Sequence, residues 1–304
     1  MTAAIETSGL CKSYGRTRAV ADLDLVVEPG QVFAFLGPNG AGKTTTIRML
    51  LALQRPDSGS AAMLGLDCGR DSVLVHRRIG YLPGELVLYP RMTGQQHIAW
   101  YARARGLRDL SFADELAGRL GAELDRPARE LSKGNRQKIG LIMAFMSRPE
   151  LLVLDEPTSG LDPLMRGEFG RLARETVAAG GTVFWSSHEL DEVQRLADRV
   201  AIIKQGRLVA TETVEHLRRS APQAVHARFA APVDPGLFTA VDGVSVTARD
   251  GDAVDLEVTG PIGPLLRLIA DRDPVEFTAQ HADLDQLFLA YYRGTEAPES
   301  THAR

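Results

Sequence analysis

Short apolar runs alternate with helical patterns over the first 220 residues of the chain. Each run is bounded by turn residues, which is typical of a central strand that is covered on both faces. A helix is predicted from about residue 42 to residue 53, directly after the first run. Strands that alternate with helices predict an α/β fold in which helices cross over a sheet. The four predicted strands are 31–36, 151–154, 182–185 and 199–204.

Between Thr93 and Met146 the pattern changes to a helical period with few strand signals. Large apolar side chains recur in this stretch and are spaced to line one side of packed helices. We therefore predict a helical subdomain at about residues 93–147, inserted into the α/β domain. The apolar residues that suggest this packing are Trp100, Leu107, Leu110, Leu116 and Leu120.

A second, smaller pattern of strands and helices follows Pro222 and predicts a small C-terminal α+β domain at 221–294. Charge changes at the same point: residues 221–304 contain 13 acidic and 6 basic side chains, whereas the first 220 contain 26 and 29. The polar tail 295–304 is predicted to be disordered. The predicted elements are strands at 224–230, 244–248 and 253–258, and helices at 264–270 and 283–292.

The bulk composition is that of an ordinary globular protein, with 44% hydrophobic and 24% charged residues. A formal net charge of -4 gives no overall attraction to nucleic acid, so no nucleic-acid partner is predicted. The two cysteines, Cys11 and Cys68, lack metal-ligand spacing, which fits a reducing cytoplasm without a structural disulfide.

No part of the sequence reads as a membrane anchor. The first six residues lack the basic start and apolar core of a signal peptide. The longest apolar stretch, 139–146, is far shorter than the about 20 residues needed to cross a bilayer. Any membrane role is therefore expected to come through a partner.

The strongest chemical signal is the segment Gly-Pro-Asn-Gly-Ala-Gly-Lys-Thr at 37–44, between a predicted strand and a predicted helix. It matches the phosphate-loop pattern, whose glycines let consecutive N–H groups converge on phosphate oxygens. Lys43 would then bind the β- and γ-phosphates, and the Thr44 hydroxyl would hold Mg²⁺. A glycine-rich turn without a ligand is the alternative, and the pattern alone does not choose among ATPases, GTPases and small-molecule kinases. The predicted nucleotide contacts in this segment are Gly37, Pro38, Asn39, Gly40, Ala41, Gly42, Lys43, Thr44 and Thr45.

A pair of acids, Asp155 and Glu156, ends the predicted strand at 151–154. A strand end in a phosphate-loop fold lies beside the phosphates, so Asp155 is predicted to order the Mg²⁺ shell. Glu156 could polarise the attacking water as a general base. The alternative interpretation is two solvated acids that end a strand before Pro157.

Together with Leu131–Asn135, these motifs resemble the ATP-binding subunits of ABC transporters, over about residues 5–215. The resemblance implies a P-loop NTPase core of ABC type. In this family Tyr14 would stack on adenine, Asp162 in the segment 159–162 would touch the opposite subunit, and His188 would contact the γ-phosphate. The implied catalytic residues are Glu156, His188 and Lys43, with ATP and Mg²⁺ as cofactors.

The resemblance also implies an assembly in which two subunits sandwich two ATP molecules head to tail. The Ser132 hydroxyl and the Gly134 backbone would reach the γ-phosphate bound by the other chain, which is predicted to be a second copy. A separately encoded membrane permease would complete the transporter. The chain is therefore expected in the cytoplasm, peripheral on the inner face of the cell membrane.

Two departures from the family pattern stand out. The segment that usually reads Leu-Ser-Gly-Gly-Gln has Lys133 and Asn135 at its third and fifth positions. Lys133 could add charge near the phosphate, but we predict that it points to solvent. Gly84 and Glu85 stand where a glutamine usually touches Mg²⁺; either Glu85 or a water could fill that position.

These variants and the acidic C-terminal domain, with its segment Asp283–Leu289, resemble the drug- and antibiotic-exporter branch. The predicted function is ATP-driven export of a drug, an antibiotic or a lipid-like molecule. A soluble ATPase of translation or DNA repair is the alternative, but such relatives usually carry two cores or long coiled coils. A GTPase would need an Asn-Lys-x-Asp segment, which is absent.

Overall fold

The computed structural model describes residues 2–220 and 222–281, and the chain divides into two compact units between Thr211 and Glu212. The boundary predicted at residue 220 lies beyond this division. The strands of the first unit, the last of which runs into the second, are β1 (Ile5–Tyr14), β2 (Thr17–Val27), β3 (Val32–Leu36), β4 (Ser58–Met63), β5 (Leu66–Asp67), β6 (Ile79–Leu82), β7 (Leu151–Asp155), β8 (Thr182–Ser187), β9 (Arg199–Lys204) and β10 (Arg207–Thr213). Its helices are α1 (Lys43–Leu50), α2 (Ser72–Arg78), α3 (Gly94–Arg105), α4 (Ser111–Leu120), α5 (Lys133–Phe145), α6 (Pro163–Ala178) and α7 (Leu190–Leu196), with a 3₁₀ turn at Ala128–Glu130.

A six-stranded sheet forms the centre of the first unit, with strand order β10-β9-β3-β8-β7-β6. The pairs β9–β3, β3–β8, β8–β7 and β7–β6 are parallel, so the carboxyl ends of these strands lie at one edge. Every residue of β3, β7 and β8 is buried, as expected for strands covered on both faces. The four predicted strands and the helix after the first are therefore confirmed.

A second sheet, which the sequence analysis did not predict, lies in the same unit with strand order β2-β1-β4-β5. Its neighbouring strands are antiparallel. Apolar side chains of β1 and β2 share one core with β3 and α1, and Phe33, Phe35 and Phe184 pack their rings together at its centre. This core fixes the strand and helix that flank the phosphate loop.

The segment predicted as a helical subdomain contains α3, α4 and α5. A capping box starts α3, because Thr93 and Gln96 each accept a hydrogen bond from the other's backbone N–H. Leu116 and Leu120 are buried in the packing, as predicted. The placement of Trp100 on the packed side is wrong, since 54% of this residue is exposed.

The second unit contains α8 (Val214–Ser220), β11 (Gln223–Phe229), α9 (Gly236–Thr239), β12 (Val244–Asp250), β13 (Ala253–Val258), α10 (Gly263–Ala270) and β14 (Pro274–His281). The strand order β12-β13-β11-β14, with a helix between β11 and β12 and another between β13 and β14, is a split βαβ arrangement. Phe229, Phe238 and Leu265 lie in its core. The predicted helix 283–292, the segment Asp283–Leu289 and the tail 295–304 lie outside the described residues.

Two further features bear on the expectations from composition. Cys11 and Cys68 are both free thiols. Within residues 2–220 and 222–281, no helix combines the length and the apolar character needed to cross a bilayer.

Candidate active site

The phosphate-loop segment 37–44 joins the end of β3 to the start of α1, as predicted. Gly40 and Gly42 have φ values of 80° and 110°, a region that side chains disfavour. A Cβ at Gly42 would lie 2.4 Å from the Ala19 carbonyl oxygen, and one at Gly37 would lie 2.5 Å from that of Ile203. The chain therefore needs glycine here to follow this path.

This loop borders a cavity of about 320 Å³. The amino end of α1 faces the loop, and its first turn contains no acidic residue, so the positive end of the helix dipole is not neutralised. Backbone N–H groups at such a helix start form an anion site. The cavity is lined by Ala19, Pro38, Asn39, Gly40, Gly42, Lys43, Thr44, Thr45 and Glu156.

Lys43 is held inside the loop, with only 5% of the residue exposed. Its Nζ donates to the carbonyl oxygens of Gly37 at 2.5 Å and Pro38 at 3.2 Å. The same Nζ lies 3.3 Å from Glu156 Oε1. A buried cation thus faces the cavity and is paired with one carboxylate.

Asp155, at the end of β7, is fully buried. Its Oδ1 accepts a 2.5 Å hydrogen bond from the Ser186 hydroxyl, which also accepts from the Glu156 N–H at 3.0 Å. Asp155 Oδ2 has no hydrogen-bond partner among the described residues. Burial and, secondarily, the Asp155 charge raise the pKa of Tyr81. A buried carboxylate oxygen without a partner suits a cation ligand.

Glu156 links the phosphate loop to His188. Its φ of 51° is in the left-handed region, which is uncommon for a residue other than glycine and is found at functional sites. While Oε1 faces Lys43, Oε2 lies 2.7 Å from His188 Nδ1. The structure therefore brings Lys43, Glu156 and His188 together, and Asp155 directly precedes Glu156 in the chain.

Ser186 was not predicted as a site residue, although it supports both acids. We expect Ser186→Ala to lower the free energy of unfolding by about 1–3 kcal/mol, because it leaves buried Asp155 Oδ1 without its donor. Urea denaturation measures the change, and Ser8→Ala, at an exposed position of β1, is the control. Equal losses in the two variants would contradict a supporting role for Ser186.

Three other predicted nucleotide contacts lie on β1 and at the starts of α5 and α6. Tyr14 is 46% exposed on β1, and its hydroxyl donates to the Gln54 side chain. Ser132 caps α5 by accepting from the Asn135 N–H. Asp162 caps α6 by accepting from the Met165 N–H at 3.0 Å.

The two residues that depart from the family pattern within the segment 131–135, Lys133 and Asn135, both have hydrogen-bond partners. Lys133 is exposed, as predicted. Its ammonium is not free in solvent, however, because it donates to Ser159 Oγ at 2.9 Å. Asn135 is buried and exchanges hydrogen bonds with the backbone of Glu123.

Gly84 lies directly against the buried acid of the site. A Cβ built at Gly84 would be 3.0 Å from Asp155 Oδ2. Glu85 is exposed, and its role as an oxygen ligand stays a prediction.

Gln137, which is 4% exposed, was not predicted as a site residue either. Its Nε2 donates to the carbonyl oxygens of Glu156 at 3.2 Å and Pro157 at 3.0 Å. The side chain thereby holds α5 against the segment that follows β7. No local motif marks such a contact, which joins residues 19 and 20 positions apart.

Comparison with known proteins gives consistent matches. The family model described as ABC transporter matches residues 20–159. The chain is 38% identical to the daunorubicin/doxorubicin resistance ATP-binding protein DrrA of Streptomyces peucetius, over 95% of this chain and 92% of that protein. It is 36% identical to the bacitracin transport ATP-binding protein BcrA of Bacillus licheniformis, over 72% of each. A solved structure of an ATP-binding subunit of an ABC transporter is 31% identical, with a TM-score of 0.65 over 72% of this chain and 92% of that one.

Proposed function

Since the chain belongs to the ABC transporter family of ATP-binding proteins, whose members hydrolyse ATP, we propose that it powers export of a drug or antibiotic through a separate membrane permease. The exporter assignment is supported by the similarity to DrrA, which extends over 95% of the chain. BcrA, another relative, is a bacitracin transport protein by name. These relatives favour transport over the alternative of a soluble ATPase in translation or DNA repair.

The observation that carries the catalytic part of the proposal is the position of Glu156 between Lys43 and His188. The Lys43 ammonium lies 3.3 Å from Glu156 Oε1 and pairs with this carboxylate. Bound β- and γ-phosphates would compete for that ammonium and release Glu156 Oε1. The carboxylate could then accept a proton from the attacking water, while His188 holds Oε2.

The resulting reaction is hydrolysis of the terminal phosphoanhydride. Water oxygen bonds to the γ-phosphorus, the bond to the β,γ-bridging oxygen breaks, and Glu156 takes the water proton. ADP and inorganic phosphate are the products. Loop N–H groups, the α1 dipole and Lys43 would stabilise the charge on the phosphate oxygens.

The residues present fit a Mg²⁺ ion beside the nucleotide. Asp155 offers a buried oxygen without a partner, and Thr44 lies at the start of α1 with a half-buried side chain. Among the described residues, no three His, Cys, Asp or Glu side chains gather into an all-protein metal site. Mg²⁺ usually uses one or two protein ligands with water and substrate phosphates. When bound, it would neutralise charge on the β- and γ-phosphate oxygens.

We also propose that the active assembly contains two copies of the chain. Ser132 and Asp162 are exposed at the starts of α5 and α6, where each side chain caps its helix. In a head-to-tail pair, Ser132 and Gly134 would reach the nucleotide of the other copy. The pair would lie at the cytoplasmic face of the membrane, bound to the permease.

The test is the mass of the Glu156→Gln protein in solution, measured by light scattering. ATP should shift the mass from one chain, 33.0 kDa, to two, whereas ADP should not. Ser132→Arg in the same background should block the shift, because a large side chain would obstruct the shared surface. A protein that binds ATP and stays at one chain mass would contradict the two-copy assembly.

A further inference from the structure

Lys133, one of the two departures from the family segment, makes a contact that glycine could not make. It is the first residue of α5, and its Nζ donates to Ser159 Oγ at 2.9 Å. Its methylene groups lie over Gly160, where a Cβ would be 3.4–3.7 Å from them. The side chain therefore joins the start of α5 to the segment that follows the β7 acids.

The backbone at the start of α5 also lies against this segment. A Cβ at Gly134 would be 2.6 Å from the Gly160 carbonyl oxygen, so the two glycines allow a close approach. Gly160 has a φ of 79°. The Lys133 side chain lies over Gly160, beside its close contact with Gly134.

A second side chain on the same face of α5 holds the other end of the segment. Gln137 lies four residues after Lys133, a spacing that places both on one side of a helix. Gln137 donates to the carbonyl oxygens of Glu156 and Pro157, and the Ser159 N–H donates to Glu156 O at 3.2 Å. Residues 156–160 are thus attached to α5 at both ends.

Helix stability alone gives no reason for a lysine at this position. A cation in the first turn opposes the helix dipole, and the first turn of α5 contains no acid. Within residues 2–220 and 222–281, no carboxylate forms an ion pair with Lys133, whose ammonium donates to the neutral Ser159 hydroxyl. The hydrogen bond to Ser159 is therefore the favourable contact that offsets the unfavourable position of Lys133 in the helix dipole.

We propose that Lys133 is a positioning residue for ATP hydrolysis. It holds Ser132 and Gly134, which the proposed function assigns to the nucleotide of the other copy, in register with the segment behind Glu156 of its own chain. The inference rests on that proposed function. It implies that the two nucleotide sites of a pair are joined through the Lys133–Ser159 contact in each copy.

The experiment is a double-mutant cycle on ATP hydrolysis with Lys133→Met and Ser159→Ala. Methionine keeps apolar atoms over Gly160 and removes the donor, whereas alanine removes the acceptor. Each single variant should lower kcat about 10-fold and leave the KM for ATP within about 2-fold, because the phosphate loop is untouched. The double variant should be no slower than either single one, since both remove the same contact.

Two further variants separate positioning from general stability. Lys133→Arg keeps a donor and should retain kcat within about 2-fold. Lys138→Met removes a neighbouring α5 lysine that donates to the Gly121 carbonyl, and it should leave kcat unchanged. Thermal midpoints of all variants are measured alongside, and a kcat loss that follows the midpoint without arginine rescue would overturn the positioning role.

Other outcomes also decide the question. Unchanged kcat in Lys133→Met, or losses that multiply in the double variant, would overturn the inference and leave the proposed function in place. An unaltered chain that hydrolyses no ATP would remove the proposed function, and the inference with it.

Discussion

Glu156→Gln is expected to slow ATP hydrolysis by about 10²- to 10⁴-fold while ATP binding is retained. The amide cannot accept the water proton, but it has nearly the shape of the carboxylate. ATP affinity should not fall, because the change removes a negative charge that lies 3.3 Å from Lys43 and faces the phosphate cavity. Phosphate release measures the rate, and calorimetry measures the affinity.

The matched control for this variant is Glu130→Gln. Glu130 is exposed, and its side chain pairs with Arg129 at 3.5 Å on the surface. The same chemical change there should leave hydrolysis unaltered. A Glu156→Gln protein that hydrolyses ATP at a near-normal rate would remove Glu156 from the general-base role.

Lys43→Ala is expected to weaken ATP binding by about 100-fold. A hydrogen bond to a charged group contributes about 1.5–3 kcal/mol, and the variant also leaves the Glu156 carboxylate facing the phosphates. The carbonyl oxygens of Gly37 and Pro38 lose a donor in the same step. Calorimetric titration with ATP checks the effect, and unchanged affinity would refute the phosphate assignment.

A second variant tests the cause of the loss. In Lys43→Ala combined with Glu156→Gln, the repulsion between the carboxylate and the phosphates is absent, so part of the affinity should return. Lys138→Ala serves as the control for removal of a lysine elsewhere in the same unit. Affinity that is equally low in the single and double variants would show that the lost phosphate contact alone accounts for the effect.

Much of the α/β core could be predicted from the sequence because two independent signals coincide there. The buried run 31–36 precedes a glycine pattern, and the buried run 151–154 precedes two acids. The strands β1 and β2 were missed because they contain no continuous apolar run, although their alternating buried and exposed positions are themselves a strand signal. The exposure of Trp100 could not be predicted, since periodicity does not say which apolar side chain finds a partner.

The acids and the lysine of the candidate site could be named from the sequence, whereas the groups that hold them could not. Ser186 supports Asp155 because β7 and β8 pair in a register that places the two residues opposite each other. That register depends on the whole sheet, and residues 31 positions apart share no local motif. Gln137 is similar, because its contacts depend on how α5 packs on the end of β7.

The contact between Gly84 and Asp155 has a consequence for consensus design. Restoring the usual family glutamine at position 84 would add a Cβ 3.0 Å from Asp155 Oδ2 and 3.1 Å from Cγ, closer than side chains normally pack. Either the loop backbone or the acid would have to shift, and a shift of the acid would move the oxygen proposed to hold Mg²⁺. The two positions are therefore expected to be epistatic, because the effect of a side chain at 84 depends on how far Asp155 can move.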